Sequence, residues 1–315
     1  MRLFAQFIAP VLIVFIGLQL FVSEKEYHRV IRYVLISAVI LSLFAIFQTI
    51  FGYQTLFSKE NTYEAYRASA TFQNANSLAI YLVLTIPHLL YAINREIISK
   101  KIGWVSVVII LVGIITTVSR KGMITAWLVI FLYFLLKKQF RKLVFLSIFT
   151  IVAITILSGY MLVAQRFSKK ELEIQVAGKH ALVMAGVDMF KKNPFIGLGY
   201  EGYSENFNKY FRRSWYSEPS KFSAHNIYIE VLANYGLLGF LPFMAIFLYP
   251  LFISFSNIIK GSLLYSKDLS ITCIITIVPF MMNGFYAGGL LKQWSIMMLL
   301  FTNIVLLFSL RGNNH

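Results

Sequence analysis

The chain has 315 residues, 58% of them hydrophobic and 16% aromatic, with a mean hydropathy of +0.71. That is more apolar side chain than a soluble domain of this length needs for its core, so composition excludes a soluble globular enzyme and points to a polytopic membrane protein. The net charge of +16 would suit nucleic acid, but no stretch has the basic and aromatic layout of a nucleic-acid module; anionic lipid or lipid phosphate is the expected partner instead.

Nine runs are long enough to cross a hydrocarbon core of roughly 30 Å: residues 3–22, 33–51, 77–93, 102–118, 122–136, 143–163, 226–256, 269–287 and 294–310. The first lacks a small-residue cleavage site before Glu24-Lys25-Glu26 and is expected to be a retained span, not a signal peptide. The fifth is short and the seventh long, with Pro242 and Pro250 as the expected kink sites of the seventh. Under strict alternation Lys25, Arg29, Arg32, Arg95, Lys100, Lys101, Lys137, Lys138, Arg141 and Lys142 fall on one side, joined by Lys260, Lys267 and Arg311. Basic residues of short loops stay in the cytoplasm, which makes that side cytoplasmic. The 52–76 loop, the Ser119-Arg120-Lys121 turn, the polar insertion Ala164 to Ala224 and the 288–293 turn are then extracytoplasmic, and an odd number of spans puts the N-terminus outside. The expected architecture is an all-α transmembrane bundle, with spans over 1–163, a large helical loop domain over 164–225 and further spans over 226–310.

The first external segment with chemical content reads YRASATFQNANSLAIYL from Tyr66. Arg67 precedes a turn, and Asn76 or Ser77 is expected to cap the helix that follows. From these residues alone an interfacial turn with a solvated arginine is as serviceable a reading as a site. The second segment, TTVSRKGMITAW from Thr116, holds Arg120 and Lys121 in a tight turn between two runs. Two cations there are either anchors that snorkel to headgroups or ligands for an anion at the membrane surface.

The insertion has its own periodicity. Ala177 to Lys192 places Ala181, Leu182, Met184, Ala185, Met189 and Phe190 at near-helical spacing, with Lys191 and Lys192 favourably placed at the C-terminal end of the dipole. Asn193-Pro194 stops that helix, and Phe195-Ile196-Gly197-Leu198-Gly199-Tyr200 makes an apolar turn whose glycines permit tight backbone. A second short helix is expected over Ser204 to Arg213, and Ser217 to Ser223 is turn-like around Pro219. His225-Asn226 closes the insertion, and such a pair at a helix start is usually a cap. Glu230 lies five residues into the seventh run, where an acid tends to face a polar cavity or pair with a cation; it either orients His225 or an arginine, or sits in the headgroup layer. Tyr228 is one turn from His225 and is a candidate to stack on a sugar, although interfacial tyrosines are more often belt residues. The single cysteine, Cys273, precludes an intrachain disulfide, and His180 and His225 alone make no zinc site.

Four motifs in order carry more than any one of them: Arg67 before TFQNAN, Ser119-Arg120 between two closely linked runs, NPFIGLG at the middle of the insertion, and AHNIYIEVLANYGLLGF after it. Together, over roughly Arg67 to Phe240, they resemble the O-antigen ligase and O-antigen polymerase family of bacterial polysaccharide enzymes. The resemblance implies a GT-C-like, metal-independent membrane glycosyltransferase with no cofactor. Its donor would be a glycan on a polyprenyl (undecaprenyl) diphosphate and its acceptor a glycan or lipid at the outer face of the cytoplasmic membrane. It makes His225 the residue that engages the acceptor hydroxyl, and Arg67 and Arg120, with Lys121, the diphosphate ligands. Lys179 stands where members often carry an arginine, and a lysine offers a point charge in place of a bidentate fork. Two other classes compete, a transporter or flippase for lipid-linked sugars and a non-catalytic scaffold. A transporter would place ionisable groups near the midplane and show related halves, whereas the charges here gather at the membrane faces.

Overall fold

A computed structural model of the protein describes residues 24–52, 67–72, 74–145, 169–211, 223–261 and 264–285. The expected spans 3–22 and 294–310, most of 143–163, and the Pro219 turn lie outside the described residues. Among the described residues the helices are α1 (Glu24–Phe51), α2 (Ala75–Asn94), α3 (Lys100–Thr116), α4 (Arg120–Leu136), α5 (Lys169–Lys192), α6 (Gly202–Tyr210), α7 (Ile227–Ile259) and α8 (Leu264–Gly284), and no strand occurs among those residues. Three stretches among the described residues are long and apolar enough to cross a membrane: His28–Phe51, Ala75–Asn94 and Ile227–Ile259. The first of these lies in a helix that begins earlier than the expected 33–51 run, because α1 continues back through Arg32, Arg29 and Lys25, where helical backbone needs no apolar side chains. The chain divides into two compact units, Met1–Phe140 with Pro250–Phe280 and Gln293–His315, and Arg141–Tyr249 with Met281–Lys292.

In the first unit α2 is the central helix, packed against α1, α3 and α4. It is apolar on every side, which is the pattern of a helix with no solvent-facing stripe, and it is buried along nearly its whole length except at Asn76 and Asn94 near its ends. Helix α1 has two faces: Ile31, Leu35, Ala38, Ser42 and Ala45 are buried, while Tyr33, Ile36, Ile40, Leu43, Phe47 and Ile50 are exposed at the same three-to-four-residue spacing. An exposed apolar stripe of that length has bilayer lipid as its natural solvent. At one end of this unit Asp268 accepts from Asn94 Nδ2 at 2.7 Å and forms an ion pair with Lys137. This joins the C-terminal ends of α2 and α4 to the start of α8.

The second unit is built on α5, α6 and the first part of α7. Leu182, Ala185, Met189, Tyr203, Phe207, Ala224 and Ala233 form its core. Helix α5 starts at Lys169, earlier than the expected Ala177, and α6 covers Gly202–Tyr210 instead of 204–213. The tertiary feature that organises this unit is a break in α7. Gly236 has φ 58° and ψ −161°, so the expected kink sites Pro242 and Pro250 are not where the helix departs from helical geometry. The carbonyls freed by the break accept from the NPFIGLG turn, Leu198 N–H to Ala233 at 2.9 Å and Gly199 N–H to Asn234 at 2.8 Å. The turn's own carbonyls accept in return, from Leu237 N–H to Pro194 at 2.8 Å and from Leu238 N–H to Phe195 at 3.0 Å. The two backbones meet closely enough that a Cβ on Gly236 would overlap the Phe195 carbonyl, and one on Gly197 would overlap the Asn234 carbonyl. A proline would have lost one helical hydrogen bond; a glycine break partnered by a second turn keeps all four groups satisfied.

Candidate functional site

The sequence-predicted residues fall into two groups. Arg67, Arg120 and Lys121 belong to the first unit, and Lys179, His225, Tyr228 and Glu230 to the second.

Arg67 sits in a short extended segment pinned on both sides. Its neighbour Ala68 donates its N–H to Thr116 O at 3.1 Å, and Gln48 of α1 accepts from Ala70 N–H at 2.9 Å. Arg67 is buried, 7% exposed, so its guanidinium needs partners. Nε donates to Thr117 O at 2.9 Å and Nη2 to Asn76 Oδ1 at 2.8 Å. Asn76 Oδ1 also accepts from Ser119 Oγ at 3.0 Å. The arginine thus ties the start of α2 to the end of α3 and the start of α4. Asn76 is free for this because the cap of α2 is Asn74, whose Oδ1 accepts from Ser77 N–H at 2.9 Å, and not Asn76 or Ser77. Ser119 caps α4, accepting from Gly122 N–H at 3.3 Å, and Gly122 has no Cβ because Ala79 of α2 lies against it. Arg120 and Lys121, both half-buried, are the first two residues of α4. Cations are disfavoured at the positive end of a helix dipole. Arg120 and Lys121 nevertheless stand there, behind a cap, Ser119, that shares Asn76 Oδ1 with the buried Arg67 guanidinium.

His225 occupies the turn before α7 and is exposed, with φ 50°, a left-handed conformation that histidine adopts more readily than most residues. It does not cap the helix. Asn226 does, its Oδ1 accepting from Tyr228 N–H at 3.0 Å and Ile229 N–H at 3.2 Å. Ser223 Oγ donates to Glu230 Oε2 at 2.8 Å and accepts from His225 N–H at 3.3 Å. Glu230 therefore reaches the backbone of the His225 turn through Ser223. Its carboxylate also adds to burial in raising the pKa of the Tyr203 hydroxyl. Tyr203 consequently remains a donor, to Leu182 O at 2.7 Å, while its own N–H is taken by Asn234 Oδ1 at 2.7 Å.

Tyr228 lies elsewhere than a sugar-stacking role requires. It is buried, its hydroxyl donates to Met281 O at 2.6 Å, and its ring packs on Phe285 with centroids 4.6 Å apart and edge-on to Phe243. Tyr228 is inside the helix and packed on its neighbours, while His225 stands before the helix in a left-handed turn, so the two do not share a face. Lys179 is half-buried on α5. What sequence reading missed are partnerships, not reactive groups: Asn76 and Thr117 as acceptors for Arg67, Ser119 as a donor to Asn76, and Ser223 between Glu230 and the His225 turn. Their signal is long-range pairing, 43 residues apart for Asn76 and Ser119, which local pattern does not carry.

Residues 105–244 match the family model described as O-antigen ligase. The matched stretch contains Arg120, Lys121, Lys179, His225, Tyr228 and Glu230. An uncharacterized protein of Haemophilus influenzae (strain ATCC 51907 / DSM 11121 / KW20 / Rd) is 24% identical over 230 residues, covering 67% of this chain and 56% of that protein. The chain spans little more than half the length of that curated relative.

Proposed function

We propose, for a chain whose residues 105–244 match the O-antigen ligase family model, that it transfers a glycan from a polyprenyl-diphosphate carrier to an acceptor hydroxyl at the outer face of the cytoplasmic membrane. The observation that carries the proposal is the family match, because one continuous stretch takes in both the electropositive Ser119-Arg120 turn and the exposed His225 turn.

The chemistry suits the residues. The acceptor oxygen attacks the anomeric carbon while the bond from that carbon to the diphosphate oxygen breaks, and the bonding pair leaves with the diphosphate. Guanidinium and ammonium groups already fixed at the N-terminus of α4 stabilise the charge that develops there, without reorganisation at the moment of reaction. The proton of the acceptor hydroxyl passes to the imidazole of His225, a side chain suited to proton transfer near neutral pH. Exposure of His225 serves this role, since an acceptor has to reach it. Arg67 acts at one remove: two of its donors are engaged by Thr117 and Asn76, which shapes the corner in which Arg120 and Lys121 stand. Lys179 remains in the proposal as a further cation toward the diphosphate.

The test is transfer of a labelled polyprenyl-diphosphate glycan in membranes that contain equal amounts of wild type and His225→Ala. Loss of transfer by a factor of about a hundred or more is expected for removal of a general base. Wild-type transfer by the alanine variant would remove His225 from the chemistry and favour a scaffold or a carrier of lipid-linked sugars.

A further inference from the structure

We infer that the tip of the NPFIGLG turn, Phe195 and Ile196, is a membrane-interface anchor whose partner is the bilayer itself, and that it fixes the depth at which α7 enters the hydrocarbon. Phe195 is 67% exposed and Ile196 70%, an unusual position for two large apolar side chains at the point of a turn in an otherwise polar insertion. The turn is not loosely held: Leu237 and Leu238 N–H donate to the carbonyls of Pro194 and Phe195. The exposed pair therefore moves with the start of the apolar part of α7 as one piece.

Three observations single out lipid as the occupant. The first is continuity. From the break onward α7 turns outward Leu238, Leu241, Ile246, Leu248 and Tyr249, so the apolar tip is the upper edge of a face that continues down the helix. The second is length. α7 has 33 residues, roughly 50 Å at a rise of about 1.5 Å per residue, whereas the hydrocarbon core is about 30 Å thick. The part after Gly236, about 23 residues and roughly 34 Å, crosses by itself. The stretch from Ile227 to Tyr235 then stands above the core, and the break marks the level of entry. The third is charge. Lys191 and Lys192 are exposed immediately before the turn, and Lys192 also lies over the Tyr210 ring at 4.7 Å. Cations next to an aromatic and aliphatic tip match a headgroup layer that is polar and anionic above and apolar below.

The experiment reads depth and does not depend on activity, so it is separable from the proposed transferase reaction. In a Cys273→Ser background, single cysteines replace Phe195, Ile196, Leu241 and Asn208, the last an exposed polar position on α6. Each is labelled with a nitroxide and the full chain is reconstituted in nanodiscs of zwitterionic and anionic phospholipid. Collision with oxygen, which concentrates in lipid, is compared with collision with a water-soluble nickel chelate. The oxygen-to-nickel ratio at positions 195 and 196 should resemble that at Leu241 and exceed that at Asn208 several-fold. A ratio like that of Asn208 would place the tip in water and overturn the inference. Low accessibility to both reagents would mean that protein covers it, which overturns it as well. Ile196→Cys carries the test alone if Phe195→Cys does not give a monodisperse preparation.

Discussion

The corner around Arg67 and the turn around His225 are built in opposite ways, although the same family pattern points to both. Arg67 is buried and bonded to a backbone carbonyl and an amide, its flanking segment is pinned to α1 and α3, and Ser119 completes the cluster. His225 is exposed, its N–H donates to Ser223 Oγ, and the helix it precedes is capped by its neighbour. A group that stabilises charge gains from being held rigid before the charge appears. A group that meets an incoming acceptor has to be approachable. The difference implies that the first corner trades stability and function together, while the second separates them, and each of the following variants strains that distinction.

The largest effect is expected at the device that supports the His225 helix. Gly236→Ala puts a Cβ onto the Phe195 backbone at a residue with φ 58°. Neither backbone can yield, so a loss of about 4 kcal/mol or more is expected, seen as failure to recover folded protein or a sharply lower melting temperature. A normal melting temperature would mean that the turn and the helix are not clamped as described.

Arg67→Met comes next. It keeps much of the apolar stem but leaves the buried Thr117 carbonyl without its donor, which costs roughly 2–3 kcal/mol. Melting temperature and transfer should fall together. A variant with normal stability and no transfer would make Arg67 a ligand of the diphosphate and not a residue that shapes the corner.

His225→Ala should do the reverse, with stability within about 0.5 kcal/mol of wild type and transfer down about a hundred-fold. His225→Gln keeps hydrogen bonding without basicity, so partial activity in the glutamine variant would assign His225 to orienting the acceptor in place of accepting its proton.

The smallest effect belongs to Asn226→Ala, which removes the cap of α7 at a cost of about 1 kcal/mol. Transfer measured at a temperature where the variant is folded should change little. A hundred-fold loss there would mean that the cap, and not the imidazole, is what the reaction requires.

Hydrophobic runs, the stop at Asn193-Pro194, the basic bias of alternate loops and the four ordered motifs are properties of the linear chain, and they were enough to indicate a helical membrane protein and the family model that residues 105–244 match. They succeed because the period of an apolar stripe, the missing N–H of proline and the cost of a charge in hydrocarbon are local effects. What tertiary structure alone decided is which polar residue serves which partner. Asn74 and Asn76 are two residues apart, and either has the chemistry of a cap, but only packing of α3 and α4 against α2 frees Asn76 to receive Arg67 and Ser119. Pro242 and Pro250 were the local candidates for a kink, yet the break falls at Gly236 because NPFIGLG, some forty residues earlier in the chain, supplies the hydrogen bonds that make an interrupted helix tolerable there. Tyr228 and His225 are three positions apart and both suit a site, but Tyr228 is helical and packs on Phe285, whereas His225 lies before the helix in a left-handed conformation (φ 50°) that leaves it exposed.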